Sequence, residues 1–321
     1  MKKEKGSRIR VGVIGIGHLG SYHLQKYRAI GECTLAAVAD VVGEKAKKAG
    51  REYGCPFFTD PRELIGRVDA VSVTVPTENH FQAARDLLAS GIDVLVEKPI
   101  TATLEEADEL IALAEASGAV LQVGLIERFN PAIAALDGII GTPLFIESHR
   151  LHPFFNRGTD VDVVLDLMIH DLDIILHYVP SPIREVEAVG VPVLSDKIDI
   201  ANARITFGNG CVANVTASRV TGKKMQKIRF FGPEGYHSVD YGKRELVSLG
   251  RKKVPGGETE ITPNVVDVEA YDPLEREIRA FVRSVITREP PAVSGKEGRR
   301  SLELARMILE KMKTGEEYLH R

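Results

Sequence analysis

Ile9-Arg10-Val11-Gly12-Val13-Ile14-Gly15-Ile16-Gly17-His18-Leu19-Gly20 is the stretch on which the fold turns. Ile9 to Ile14 is a β-rich run, and Leu19 to Arg28 reads as a helix. The three glycines lie in the turn between them. Gly15 permits the tight turn, Gly17 lets the backbone approach a pyrophosphate, and Gly20 allows close helix–strand packing. The helix N-terminus then presents free N–H groups and a positive dipole end to phosphates. A second apolar run, Leu35 to Ala39, ends in Asp40, 20 positions after Gly20. A GxGxxG run alone is weak, but strand, glycine loop, helix and a spaced acid together make a dinucleotide fingerprint. His18 and Leu19, inside the loop, join Gly15, Gly17, Gly20 and Asp40 as cofactor-side residues. Asp40 would accept from the adenosine ribose hydroxyls and repel a 2′-phosphate. Val41-Val42 supply no cation to offset that repulsion, so the expected cofactor is NAD rather than NADP.

Strands and helices go on alternating downstream. Ala70 to Val75 reads as a strand ending in Pro76-Thr77-Glu78-Asn79-His80, followed by a helix from Phe81 to Ala89. Pro76, Asn79 and His80 lie just past a strand's carboxyl end, where ligands bind in open parallel sheets. Asn79 and His80 read equally as helix-capping polar groups. Val94 to Val96 is a further buried run, ending in Glu97-Lys98-Pro99. A lysine there is either a surface ion-pair partner or a group held over a ligand, and Pro99 biases it towards extended geometry. Thr103 and Glu106 form a capping box for a helix from Leu104 to Ser117, with Gly118 as its C-cap. Val120 to Val123 closes the set. Repeated strand–helix units of this length imply an α/β fold with a doubly wound parallel sheet over residues 1–124.

After Gly124 the pattern changes. Leu144 to Leu151 reads as a strand, and β-rich runs follow at roughly 184–193, 199–207, 211–219, 226–232 and 235–240, with a turn at Gly208-Asn209-Gly210. Close spacing and hairpin signals indicate a large, mostly antiparallel open sheet in a second α/β domain, 125–321. Two helices end the chain: Pro273 to Ile286, and one of about 295–315 that is a candidate to pack back on the first domain. Between these sheet signals, Asp160 to Tyr178 is largely apolar yet carries Asp162, Asp166, His170, Asp173 and His177 at spacings of 4, 4, 3 and 4. Those spacings align the five on one helical face. Such a stripe must be paired, hydrated or turned to a cavity. It reads as an internal anchoring network, or as a carboxylate-oriented general base. A metal site from Asp166, His170 and His177 is the weaker option, and no metal is expected.

The 321 residues carry a net charge of −3, with 27% charged and 44% apolar residues. That balance, with no dense Lys/Arg tract, points away from nucleic acid. No run approaches the roughly 18 apolar residues of a membrane span. Nor does an apolar segment follow the basic N-terminus as in a signal peptide. Three scattered cysteines, Cys33, Cys55 and Cys211, fit a reducing cytoplasm.

Together these motifs resemble the glucose–fructose oxidoreductase/inositol dehydrogenase (Gfo/Idh/MocA) family over nearly the whole chain. The resemblance rests on the glycine loop, Pro76 to His80, Glu97-Lys98-Pro99, Arg128-Phe129-Asn130-Pro131 and Asp166-x-x-x-His170. It implies an N-terminal Rossmann domain and a C-terminal domain whose sheet face forms homodimers or homotetramers. It also implies that Glu97 contacts the cofactor's ribose side, that Lys98 binds the substrate oxygen and relays its proton, that His170 is the general base, and that Asp166 binds substrate or steadies the base. A nicotinamide cation would help lower the proton affinity of Lys98. The implied substrates are sugars, cyclitols and nucleotide sugars. Arg128-Phe129-Asn130-Pro131, the 150–157 segment and 161–172 are similar to the branch that oxidises UDP-N-acetylglucosamine to a 3-keto sugar for lipid A. A diphosphate needs cationic donors, for which Arg128, Arg150 and Arg157 are candidates. The family's usual glycine pair is replaced here by Gly158-Thr159, followed by Asp160-Val161-Asp162. An inositol or free-sugar dehydrogenase is the competing expectation, and a non-catalytic NAD-binding regulator or scaffold a third.

Overall fold

A computed structural model describes residues 8–154, 161–233, 235–253, 259–264 and 266–315. In chain order the first elements are β1 (Ile9–Ile14), α1 (His18–Ala29), β2 (Cys33–Ala39), α2 (Gly43–Tyr53), β3 (Phe57–Phe58), β4 (Ala70–Val73) and α3 (His80–Ala89). Next come β5 (Asp93–Glu97), α4 (Leu104–Ser117), β6 (Leu121–Gly124), α5 (Pro131–Ala134), β7 (Phe145–Leu151) and α6 (Ile169–Tyr178). The run β8 (Ile183–Val191), β9 (Ile200–Phe207), β10 (Val212–Ser218), β11 (Met225–Gly232), β12 (Gly235–Asp240), β13 (Glu245–Lys253) and β14 (Thr259–Asn264) precedes α7 (Pro273–Thr287) and α8 (Gly295–Gly315). The chain divides into two compact units, Met1–Ile126 with Asp272–Arg299, and Glu127–Tyr271 with Arg300–Arg321.

The first unit holds a six-stranded parallel sheet in the order β3-β2-β1-β4-β5-β6. That is the doubly wound order, reversing between β1 and β4, and its ligand crevice lies at the strand carboxyl ends. β4 and β5 are buried at every position, as strands covered on both faces are. α4 carries the expected capping box: Glu106 N–H donates to Thr103 Oγ1 and Thr103 N–H to Glu106 Oε2, each at 3.2 Å, with left-handed Gly118 closing the helix. The division departs from a boundary at 124/125 in two places: the first break follows Ile126, and Asp272–Arg299 belongs to the first unit. Ile278, Phe281, Val282 and Val285 form one apolar face of α7 and share a core with Val11, Val13, Leu24 and Tyr27. α2 and β3 lacked a sequence signal because α2 is dominated by charged residues and buries only Ala46, Ala49 and Gly50.

The second unit is built on an eight-stranded sheet in the order β14-β13-β12-β11-β7-β10-β9-β8. All neighbours are antiparallel except β7 and β10. One face, including Ile146, Ala203, Ile205, Val215 and Phe230, packs with Leu172, Ile175 and Leu176 of α6 and with Leu304 and Ile308 of α8. The Gly208–Gly210 hairpin is as expected, with Gly210 at φ 88°. The helix predicted over 160–178 is interrupted, since Val164–Met168 widens into a π-helix before α6 begins. That extra residue per turn spoils the single 3.6-residue stripe, and such π segments occur often at functional sites.

Candidate active site

The glycine loop has the steric logic expected of it. Gly15 sits at φ +88°, and a Cβ there would lie 2.8 Å from Val75 Cγ1 and 2.9 Å from the Thr74 carbonyl. A Cβ on Gly20 would come within 2.0 Å of the Gly15 carbonyl oxygen. Gly17, by contrast, has open space at its Cβ position, so a ligand can approach the backbone closely there. Thr74 braces the turn from the end of β4, its hydroxyl donating to the Gly15 carbonyl at 2.7 Å. Nothing in the glycine spacing points to Thr74.

Asp40 is buried and bridges two backbone segments. Its Oδ2 accepts from Ile16 N–H at 2.6 Å and its Oδ1 from Val42 N–H at 2.8 Å. The carboxylate thus fixes the glycine loop against the end of β2, while each oxygen keeps acceptor capacity for a ribose hydroxyl. It borders a cleft of about 1010 Å³ that is also lined by Gly15, Gly17, His18, Leu19, Pro76 and Asn79. Open backbone at Gly17, a helix N-terminus and a buried acid beside it suit a dinucleotide. The same wall carries Lys45, Arg62 and Arg85. The absence of cations at positions 41 and 42 is therefore local, and Arg62 and Arg85 are themselves paired with Asp60 and Asp86 of the same wall.

The other expected cofactor-side residues divide. Gly20 and Glu97 are buried off the cleft wall, Gly20 in the close packing expected of it. His80 neither caps α3 nor lines the cleft: it is buried, with Nδ1 2.8 Å from the Pro99 carbonyl and Nε2 3.0 Å from the Val75 carbonyl. Burial lowers its pKa, partly offset by those two carbonyls. His80 thus ties together the loops following β4 and β5. Lys98 is half-buried at the carboxyl end of β5, and the Lys98–Pro99 peptide is cis.

In the second unit the polar residues of the 162–177 segment lie largely in ion pairs. Asp173 is gripped by Arg128, with Nε to Oδ2 at 2.7 Å and Nη2 to Oδ1 at 3.0 Å, and Ser301 Oγ adds a bond to Oδ1 at 3.2 Å. Arg128 Nη1 also donates to His177 Nδ1 at 2.8 Å. Asp171, outside the stripe and fully buried, forms the equivalent bidentate pair with Arg150 at 2.8 and 3.1 Å, and Glu127 takes Arg150 Nη1 at 2.8 Å. Arg128 and Arg150, expected as diphosphate donors, are both held in carboxylate pairs, Arg150 buried and Arg128 partly so. Arg157, with the rest of 155–160, lies outside the described residues. Asp162 accepts from Ile198 N–H at 3.1 Å and so anchors the segment's start. Asp166 lies within the π turn and His170 at the start of α6.

Sequence spacing missed His152, which follows β7 and meets the Gln226 amide at 2.8 Å. Burial, Lys224 and Arg150 lower its pKa, while Asp166 pulls the other way. His152 therefore belongs to the electrostatic surroundings of Asp166, though 14 residues separate them in sequence.

A model of the GFO/IDH/MocA oxidoreductase family, NAD-binding Rossmann fold, matches residues 9–125, and one of the family's C-terminal domain matches residues 134–238. The chain belongs to the Gfo/Idh/MocA oxidoreductase family. It is an NAD-dependent oxidoreductase of the dehydrogenase type. UDP-N-acetylglucosamine 3-dehydrogenase of Acidithiobacillus ferrooxidans is 40% identical over 303 residues, covering 94% of this chain and 96% of the relative. A solved structure of that bacterium's UDP-N-acetylglucosamine 3-dehydrogenase superposes with a TM-score of 0.88 at 39% identity, over 96% of this chain and 98% of the other. Myo-inositol 2-dehydrogenase of Thermotoga maritima is 28% identical over 315 residues, covering 92% of this chain and 93% of that one.

Proposed function

We propose that this enzyme oxidises a secondary hydroxyl of a nucleotide sugar, UDP-N-acetylglucosamine to its 3-keto form. The observation that carries this is 40% identity, over nearly the full length of both chains, to a dehydrogenase of that name. When bound, NAD⁺ supplies the hydride acceptor. Lys98 donates a hydrogen bond to the substrate oxygen and steadies the charge gathering there. His170 takes the hydroxyl proton, with Asp166 orienting the imidazole or binding the sugar. Glu97 serves the cofactor's ribose side, and Gly15, Gly17, His18, Leu19, Asp40, Pro76 and Asn79 receive the rest of the dinucleotide. The 3-keto product is the carbonyl that an aminotransferase would convert to a 3-amino sugar for lipid A.

A second reading, an inositol or free-sugar dehydrogenase, draws on the ion pairs that occupy Arg128 and Arg150. Those two guanidiniums are committed to Asp173 and Asp171 rather than offered to a diphosphate. NADH formation with UDP-N-acetylglucosamine, UDP-glucose, the corresponding uronates and myo-inositol separates the two readings. An aminotransferase with glutamate would draw an unfavourable oxidation forward. Turnover of UDP-N-acetylglucosamine well above the others supports the proposal, and turnover of myo-inositol alone overturns it.

The proposed assembly is a homodimer or homotetramer through the face of the eight-stranded sheet opposite its core. Phe145, Phe231 and Tyr236 gather on that face, with ring centroids 5.5 and 5.1 Å apart. Light scattering of the purified chain reads the assembly directly. The proposed compartment is the cytoplasm, in keeping with three buried free cysteines. No helix among the described residues is long and apolar enough to cross a membrane.

A further inference from the structure

A buried polar row in the first unit ends on Glu97 of β5, and its other members, Tyr27, Ser72 and His23, have no part in the reaction as proposed. Tyr27 Oη lies 2.8 Å from Ser72 Oγ, Ser72 Oγ 3.0 Å from His23 Nδ1, and His23 Nε2 3.1 Å from Glu97 Oε1. One proton arrangement satisfies the row with a neutral imidazole: Tyr27 donates to Ser72, Ser72 to His23 Nδ1, and His23 Nε2–H to Glu97. In that arrangement the row points its donors one way and ends with His23 donating to Glu97 as an anion.

The adjoining carboxyl is placed in the opposite way. Gly124 pairs with Glu97 across the sheet, and a Cβ there would lie 3.0 Å from the Glu97 carboxyl group. Gln122, two residues earlier on the same face of β6, is fully buried and donates Nε2–H to the backbone carbonyl of Glu277 at 3.2 Å. Glu277, on α7, is fully buried, and neither of its carboxyl oxygens meets a hydrogen-bond donor; nor does Gln122 Oε1. A carboxylate in such a place would be desolvated without compensation. The groups acting on or within this row are Tyr27 and His23 from α1, Cys33 from β2, Ser72 from β4, Glu97 from β5, the amide of Gln122 from β6 and Glu277 itself from α7. Burial, and then the charge of Glu97, push the Glu277 pKa up.

We infer that Glu277 is held as a neutral carboxylic acid, the proton-keeping member of a carboxyl pair whose anion is Glu97. The anion sits where His23 donates to it, and the proton on the buried carboxyl that no donor reaches. Like-charged carboxyls sharing a buried site behave in this way. A consequence, resting on the proposed cofactor-side role of Glu97, is that the strand end beside Lys98 carries one negative charge rather than two.

Infrared difference spectra of the full-length protein near pH ~7 test the assignment without any turnover. A protonated-carboxyl C=O band should be present in the wild type, lost in Glu277→Gln and kept in Glu97→Gln. No such band in the wild type, or its loss in Glu97→Gln with retention in Glu277→Gln, overturns the inference. Thermal midpoints give an independent reading. An acid with a raised folded-state pKa binds more protons folded than unfolded, so stability falls as pH rises above the unfolded value of about 4.3. The midpoint of Glu277→Gln should therefore gain steadily on the wild type from about pH 5 to 9, and a gap independent of pH contradicts the inference. Neither measurement depends on which sugar the enzyme oxidises, so failure here is distinct from failure of the functional proposal.

Discussion

The glycine loop of the first unit and the polar helix of the second both bury charge, and they do it for different ends. At the loop, Asp40 uses backbone N–H groups of Ile16 and Val42 and still borders an open cleft. Along the 162–177 segment, Asp173 meets Arg128 and Ser301, with Asp171 bound to Arg150. The first arrangement holds a surface ready for a ligand. The second largely satisfies itself and locks a helix in place. Carboxylates at motif spacing therefore do not become ligand sites by spacing alone; what their partners leave open decides it.

That contrast is exposed most strongly at Lys98. Lys98→Ala should lower kcat by roughly 10²–10³-fold, the range for losing one positioned donor to a developing oxyanion, with NADH affinity by fluorescence titration nearly unchanged. Near-normal turnover would remove Lys98 from the chemistry. Arg150→Ala should do the reverse, costing about 3–5 kcal/mol of stability because it leaves Asp171 buried and uncompensated. Urea denaturation measures this, and a loss below about 1 kcal/mol would mean the pair is not a lock.

Asp199 sharpens the same point through pH. Burial alone would raise its pKa, but N–H groups of Leu194 and Val193, the Ser195 hydroxyl and Arg219 outweigh burial and hold it well below the ordinary carboxylate range. A depressed pKa contributes stability that is present above the unfolded value of about 3.9 and lost as pH falls through the folded one. Asp199→Asn should therefore be less stable than wild type at neutral pH, by about 3 kcal/mol for a broken buried pair, with the deficit closing in acid. A deficit that ignores pH would contradict the assignment. The smallest effect is expected at Asp40. Asp40→Ala should shift the NAD-to-NADP preference by about tenfold, equivalent to about 1.4 kcal/mol, because it removes a carboxylate that repels a 2′-phosphate, while Arg62 and Arg85 on the cleft wall stay paired with Asp60 and Asp86. An unchanged kcat/KM ratio for the two cofactors would show that another group reads the ribose.

How much of this was legible in sequence follows the same division. The glycine loop and the capping boxes answer to steric and hydrogen-bonding demands within a few residues, so spacing reveals them. The partners of the polar helix lie 21, 45 and 128 positions away, at Arg150, Arg128 and Ser301. Only folding brings them together, and so Arg128 reads as a ligand candidate in sequence and is found in space bonded to Asp173 and His177. His152 was hidden for the same reason. α7 looked like part of the second domain because it follows that domain's strands; its Ile278–Phe281–Val282–Val285 face instead completes the core of the first unit. β13 has weak alternation, with Gly250 followed by Arg251-Lys252-Lys253, and that concealed it.

The most direct measurement of the central claim follows a single hydrogen. UDP-N-acetylglucosamine deuterated at the 3-position should yield NADH carrying that deuterium at nicotinamide C4, read by mass spectrometry, and the transfer should disappear in Lys98→Ala and His170→Ala. NADH formed without deuterium, or undiminished transfer in both variants, would contradict the account.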